Sequence, residues 1–343
     1  MLMISADSHV VEPPDLWVKN LPASMKDRAP RYDAIGSNNQ VEAHAGGHDP
    51  YARLKAMPVD GVSGEVLYAS SVLDQYSLTD VELQEACFSI YNDWLIDYCN
   101  AAPERLYGIG AISLYRIDNA IKELRRCKAA GLRGIMIWQI PPDELSFDTL
   151  HYEKFWEAVE EAEMPVSLHI LSGMPYTHGW SKIKRTPAQA IRWSVNMKQN
   201  LAANVVTDLI MSGVLERHPK LKFVLVENEI SWMPFILSQA DKYNARGLTK
   251  GVLTLTPTEY MERQIFATFF NDPPIRWLLK NWGMNNAMWS NDFPHANSTW
   301  PHSREVIQRD LGELSEQARA RLLHGNVIDF YNLKVTELAE TTT

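Results

Sequence analysis

The stretch Ala287-Met288-Trp289-Ser290-Asn291-Asp292-Phe293-Pro294-His295 decides how this chain is read. Its apolar start has the composition of a short buried strand, and the run stops on a carboxylate with an imidazole three residues beyond. A buried parallel strand that ends on a charged side chain delivers it to the C-terminal rim of its sheet, where such side chains gather. The other end of the chain repeats the arrangement. Met3-Ile4-Ser5-Ala6-Asp7-Ser8-His9 is an apolar run ending in two potential metal ligands, Asp7 and His9, which a period of two points the same way. First and last strands with ligands at one rim imply a closed barrel with a metal in its mouth.

Between these ends, apolar β-type runs alternate with amphipathic helical segments, the pattern of parallel strands joined by crossover helices. Besides Leu2–Ala6, the strands expected are Glu65–Tyr68, Leu106–Ala111, Gly134–Ile137, Val166–Ile170, Phe223–Glu227, Gln264–Ala267 and Ala287–Ser290. The helices expected are Val81–Cys99, Ile117–Ala130, Tyr152–Ala162, Pro187–Leu215, Trp232–Ala245 and Pro274–Asn281. Gly131 after the second helix and Pro165 before the fifth strand are the matching stop signals. Eight strands with intervening helices give an α/β fold, a (β/α)8 TIM barrel.

Residues 10–60 and 171–188, rich in Pro and Gly, read as long insertions on the top face. Leu314–Asn332 reads as a C-terminal helical extension, so residues 1–335 form one domain, followed by a flexible tail at 336–343.

Composition narrows the function. The 343 residues are 45% hydrophobic and 22% charged, which suits one large folded core rather than disorder. A formal net charge of −9, with Lys and Arg scattered, argues against nucleic acid as a partner. No window approaches the roughly 18 uninterrupted apolar residues of a membrane span. Cys87, Cys99 and Cys127 lie in apolar-periodic stretches with no CxxC spacing, as in a reducing compartment. A soluble cytoplasmic protein acting on a small molecule, without membrane contact, is the expectation.

In a parallel barrel the strand ends converge, so the polar residues that terminate apolar strands form one group. The first strand supplies Asp7 and His9, with Glu12 just beyond. The fifth supplies His169, the sixth Glu227 and the eighth Asp292. Each has an ordinary alternative: Asp7 as a turn cap, His169 as a satisfied core histidine. Together, several carboxylates in one buried mouth would raise one another's pKa, a conflict that a divalent cation resolves. Imidazole with carboxylate suits Zn, Mn or Fe, and the carboxylate-rich set leans toward the harder or redox-active of these. His178, in the loop after the fifth strand, and His295 stand on the same side as further candidates for proton donor or supporting ligand.

With these residues in place, the chain resembles the amidohydrolase superfamily, in the amidohydrolase-related branch that includes aminocarboxymuconate semialdehyde decarboxylase and aromatic-acid decarboxylases. The resemblance rests on Asp7-Ser8-His9, Gly131-Leu132-Arg133-Gly134, Ser212-Gly213-Val214-Leu215-Glu216-Arg217-His218-Pro219, Trp289-Ser290-Asn291-Asp292-Phe293-Pro294-His295 and Asn326, in that order. It implies a metal held by a His-x-His pair on the first strand, a histidine on the fifth and an aspartate on the eighth. These fall on Asp7, His9, His169 and Asp292. It also implies a homodimer.

Two departures stand out. Asp7 replaces the first histidine of the pair, and Glu227 stands where the family's decarboxylases carry a catalytic histidine after the sixth strand. A glutamate there is an acceptor at neutral pH unless its pKa is raised. It would instead bridge a second ion, giving a binuclear site of Asp7, His9, His169, Glu227 and Asp292 with Glu12.

The first reading is therefore a metal-dependent hydrolase or carboxy-lyase for a small aromatic or carboxylate-bearing substrate. In it Asp292 is ligand and general base, Glu227 steers water or holds a second ion, and the metal activates water or assists C–C or C–N cleavage. A non-haem iron or di-iron oxygenase on the same barrel is the alternative. A barrel that binds ligand without catalysis is the third.

Overall fold

All eight apolar runs form strands. The structure, a computed structural model, describes residues 2–32, 44–174, 186, 197–282 and 285–334. The strands are β1 (Ile4–His9), β2 (Gly64–Tyr68), β3 (Leu106–Ala111), β4 (Gly134–Ile137), β5 (Val166–His169), β6 (Phe223–Val226), β7 (Ile265–Phe269) and β8 (Ala287–Trp289). They pair in parallel in sequence order. Apart from Phe266, every strand residue is buried, which is why most of these runs are apolar without alternation, the buried polar residues of β1, β2, β5 and β7 being the exceptions.

The barrel closes between its first and last strands just beyond the end of β8. There Asn291 N–H donates to Ser5 Oγ at 3.0 Å. Asp292 N–H donates to the Asp7 carbonyl at 3.1 Å, and His9 N–H to the Phe293 carbonyl at 2.7 Å. The register of β1 slips against β2 between Ser5 and Ser8, so Asp7 sits in a bulge, a device that re-aims side chains near sites.

The helices follow the expected stripes. In Ile117–Ala129, Ala120, Leu124 and Cys127 are buried against the sheet. Full burial of Leu124 alone contributes on the order of 2 kcal/mol. The three cysteines are buried free thiols. No described helix is long and apolar enough to cross a membrane.

Several expectations need correction. Residues 10–60 are not simply irregular: Pro50–Asp60 is a helix, capped by the Asp49 side chain on Tyr51 N–H and ended by Gly61 at φ 78°. Its Arg53 is fully buried and forms a 2.5 Å ion pair with the buried Glu65 of β2. The helices Pro257–Gln264 and Ser303–Leu311 were not anticipated. The first begins with a capping box between Thr256 and Glu259, a signal legible in Thr256-Pro257-Thr258-Glu259.

The C-terminal extension is not one regular helix. Glu316–Ala320 passes through a wider π-type turn at Arg321–Gly325 into Asn326–Tyr331. The Asn326 amide donates to the Ala287 carbonyl at 2.7 Å and anchors this extension to β8. Of the expected helix Pro187–Leu215, the described part is a π-type turn at Met197–Leu201, a helix Ala202–Met211 and, after Gly213 at φ 75°, a short turn Val214–Arg217. The loop expected at 171–188 lies mostly outside the described residues, as does the tail 336–343.

Candidate metal centre

The ends of β1, β5 and β8 bring Asp7, His9, His169 and Asp292 together in complete burial. His9 Nε2 lies 3.6 Å from Asp7 Oδ1 and 3.6 Å from Asp292 Oδ1. His169 Nε2 lies 3.8 Å from Asp7 Oδ1, beyond hydrogen-bond reach, so the attraction there is Coulombic. Ligand atoms of Asp7, His9 and His169 form one group within 4.8 Å, and those of His9, Glu227, Asp292 and His295 form another.

The tautomers follow from the backbone. His9 Nδ1 is 2.8 Å from the Ala69 carbonyl, and His169 Nδ1 is 2.7 Å from the Ile170 carbonyl. A carbonyl only accepts, so each Nδ1 carries the proton, and a neutral ring then presents a bare lone pair at Nε2. The two Nε2 atoms face one another at 3.1 Å. Two lone pairs at that distance repel unless a cation or a proton lies between them. Burial, then the charges of His295 and His169, push His9 well below the usual imidazole range. For His169, burial opposes charging, but Asp7 and Glu227 outweigh it and raise the pKa.

The carboxylates give an independent test of fit. Both oxygens of Asp7 and both of Asp292 are buried with no hydrogen-bond partner. Leaving a carboxylate so is costly, whereas a bound cation would compensate the charge of both. Burial raises the pKa of Asp292, Asp7 adds to the rise, and His295 and His169 oppose it. Two imidazoles and two carboxylates fit a divalent transition-metal ion well.

Glu227, directly after β6, and Asp292, three residues past the end of β8, both adopt left-handed backbone, at φ 61° and 56°. Such conformations cost on the order of 1 kcal/mol or more and persist where neighbours enforce them. Here each is pinned through its own N–H: Glu227 to Thr268 Oγ1 at 2.9 Å, Asp292 to the Asp7 carbonyl.

His295 completes this side of the site. Its ring stacks on His9 at 3.8 Å between centroids, and its Nδ1 contacts Asp292 Oδ1 at 3.1 Å. Its Nε2 lies 3.2 Å from Ser70 Oγ. Burial works against its charge, but Asp292, then Glu227 and Asp7, raise it to about 9.

Glu12 is placed differently from expectation. Its oxygens accept from the backbone N–H groups of Ser70, Ser71 and Val72 at 3.2, 2.9 and 3.4 Å. It therefore clamps the segment that presents Ser70 to His295, and it belongs to neither ligand group. His218, at the C-terminal end of the turn Val214–Arg217, lies between Glu153 at 3.1 Å and Glu160 at 3.3 Å. His178 lies outside the described residues.

Sequence reading passed over the supports. Asn291 Oδ1 accepts from Ser8 Oγ at 2.9 Å and from Phe293 N–H at 3.2 Å, which ties the two ligand-bearing ends together. Arg53 donates to the His9 carbonyl. Asn291 was within the quoted motif; Arg53 carried no signal, since its segment read as a loop.

Known proteins resemble this chain in sequence and in fold. The 2-amino-3-carboxymuconate-6-semialdehyde decarboxylase of Dictyostelium discoideum is 24% identical over 291 residues, 83% of this chain and 77% of that protein. Gamma-resorcylate decarboxylase of Rhizobium radiobacter is 22% identical over 304 residues, 79% of this chain and 85% of that one. The solved 5-carboxyvanillate decarboxylase of Sphingomonas paucimobilis has the same fold, with a TM-score of 0.74 at 20% identity over 97% of this chain and 99% of that one. A dihydroxybenzoic acid decarboxylase of Polaromonas sp. JS666, solved with bound manganese and 2-nitroresorcinol, gives 0.69 at 18% identity over 97% of each chain. These relatives are decarboxylases, which sets aside the oxygenase and the non-catalytic barrel. The sequence profile of the amidohydrolases matches residues 9–333, from His9 to beyond the last strand, and the chain is an enzyme of the amidohydrolase family.

Proposed function

We propose that this enzyme is a divalent-metal-dependent decarboxylase of a small aromatic carboxylate. The observation that carries the reading is the pair of Nε2 lone pairs of His9 and His169 facing each other at 3.1 Å, flanked by the unpartnered carboxylates of Asp7 and Asp292. These four residues would hold the ion. His9 belongs to both ligand groups and has one Nε2 lone pair, which supports one ion rather than two. When bound, a divalent ion, manganese being the one in the Polaromonas structure, supplies fixed positive charge that orients the substrate's anionic oxygens.

The remaining chemistry belongs to the chain. Decarboxylation breaks the bond between ring and carboxylate, leaves the electron pair on the ring carbon and needs one proton there. Asp292 Oδ1 and His295 Nδ1 lie 3.1 Å apart as an ion pair next to the ligand cluster, and are the donor pair in this reading. His295 is about a quarter exposed, so solvent reloads the proton through it. Glu227, in reach of the same cluster, positions the substrate or a water.

The test is manganese-loaded enzyme incubated with a panel of hydroxybenzoates in D2O. Release of one CO2 per ring, with one deuterium at the vacated carbon, is the expected result. Turnover of amides or lactones in place of CO2 release would assign the site to hydrolysis, the reading that Glu227 in the histidine's place favours.

A further inference from the structure

A cavity of about 770 Å³ lies at the end of the barrel opposite the metal centre. Its wall includes Arg133, Pro165, Lys222 and Asn286, the segments that lead into β4, β5, β6 and β8. The C-terminal helix adds Phe330 and Tyr331. The floor between this cavity and the metal centre is filled. Tyr331 OH meets Tyr68 OH at 2.8 Å, Tyr68 OH meets Ser167 Oγ at 3.0 Å, and the Tyr68 ring packs 5.4 Å from that of His169. The cavity is thus a separate compartment, not the lower end of the active site.

Its charge runs against that of the molecule. In a chain of net charge −9, five cationic side chains and three acidic ones line the cavity. Two of the acids are already engaged: Asp329 pairs with Arg321 at 2.6 Å, and Glu160 accepts from Lys220 N–H at 2.7 Å and faces His218. Lys128, Arg133, Lys220 and Lys222 have no ion-pair partner among the described residues. The Lys222 ammonium is half-buried, held by the Arg263 carbonyl and 6.0 Å above the Phe266 ring. Burial, and then Arg263, lower its pKa, so an anion beside it would relieve a cost already present.

We propose that this cavity is a second ligand site, for a small organic anion whose charged head lies among Lys222, Arg133 and their neighbours and whose apolar body rests on Phe266 and Phe330. Concave shape, aromatic walls and a few convergent cations are what such a ligand needs. The head is a carboxylate or a phosphate, and competition distinguishes them.

The test uses the metal-loaded full-length enzyme and the fluorescent probe 8-anilinonaphthalene-1-sulfonate. One saturable site is expected, with affinity weakened at least tenfold in Lys222→Gln and in Arg133→Gln. The site should remain within twofold in His169→Ala, and turnover should remain within twofold in Lys222→Gln. Displacement by benzoate at lower concentration than by inorganic phosphate assigns an aromatic carboxylate as occupant, and the reverse order a phosphate-bearing one. Absence of a saturable site, or affinity indifferent to both cation substitutions, overturns the proposal, whatever reaction the metal centre performs.

Discussion

The backbone N–H of Asp292 donates to the carbonyl oxygen of Asp7 across 3.1 Å, joining residues 285 positions apart at the point where the barrel closes. The same bond sets the separation of two carboxylates whose oxygens have no hydrogen-bond partner. Barrel closure and the geometry of the candidate ligands are therefore one structural event.

Asn291→Ala removes the acceptor shared by Ser8 and Phe293 while leaving all four ligands in place. Metal affinity is expected to fall about 10–100-fold, the usual cost of losing an orienting partner. Titration against a chelator measures it. Affinity equal to the parent's would show that the seam does not position the ligands.

His169→Ala and Asp292→Ala are each expected to lower metal content below one ion per chain and to abolish turnover. Glu227→Gln is expected to reduce turnover at least tenfold with the metal retained, since the other ligand atoms suffice to hold it. Elemental analysis alongside rate measurement separates these cases. Loss of metal in Glu227→Gln would instead make it a ligand, and two ions per chain in the parent would revive the binuclear site.

Arg53→Met strands the buried Glu65 carboxylate and is expected to destabilise the fold by about 3–5 kcal/mol. Adding Glu65→Leu should recover most of that loss, because an apolar pair costs nothing in desolvation. Denaturant unfolding of the single and double variants reads the coupling directly. A double variant as unstable as Arg53→Met would mean that the other bonds of Arg53, to Gly46 and the His9 carbonyl, carry its contribution.

Glu153 gives a pH dependence remote from the metal. Hydrogen bonds from Arg217 lower its pKa below the usual 4.5, with burial opposing and His218 assisting. A depressed carboxylate contributes stability that is present above its unfolded pKa and is lost as pH falls through the folded value. Glu153→Gln should therefore cost about 0.5–1 kcal/mol near pH 7, the range for a largely solvent-screened pair, and the difference should shrink below the usual carboxylate range and vanish once pH falls beneath the lowered folded value. A difference constant with pH would assign the effect to packing.

The strands were legible because residues buried on both faces of a sheet must be apolar along their whole length, and chain polarity then fixes which end carries the ligands. Asp292 and His169 could be picked out on that ground alone. Glu12 was misplaced because sequence order puts it one turn of loop past His9, while its direction is set by the N–H groups of residues 70–72, a contact 58 positions away. The helix Pro50–Asp60 was missed because its prolines and glycines, at its two ends and inside it, read as loop punctuation.

The order and polarity of eight parallel strands, the ligand types at their ends and the family are thus written in the chain itself, since they depend on local apolarity and on spacing along one strand. The tautomers of His9 and His169, the unpartnered state of the two aspartates and the role of Arg53 were decided only in three dimensions. Apart from the Ile170 carbonyl next to His169, they depend on which carbonyl, charge or N–H group from a distant segment arrives within reach, and that separation is a property of packing, which no window of sequence contains.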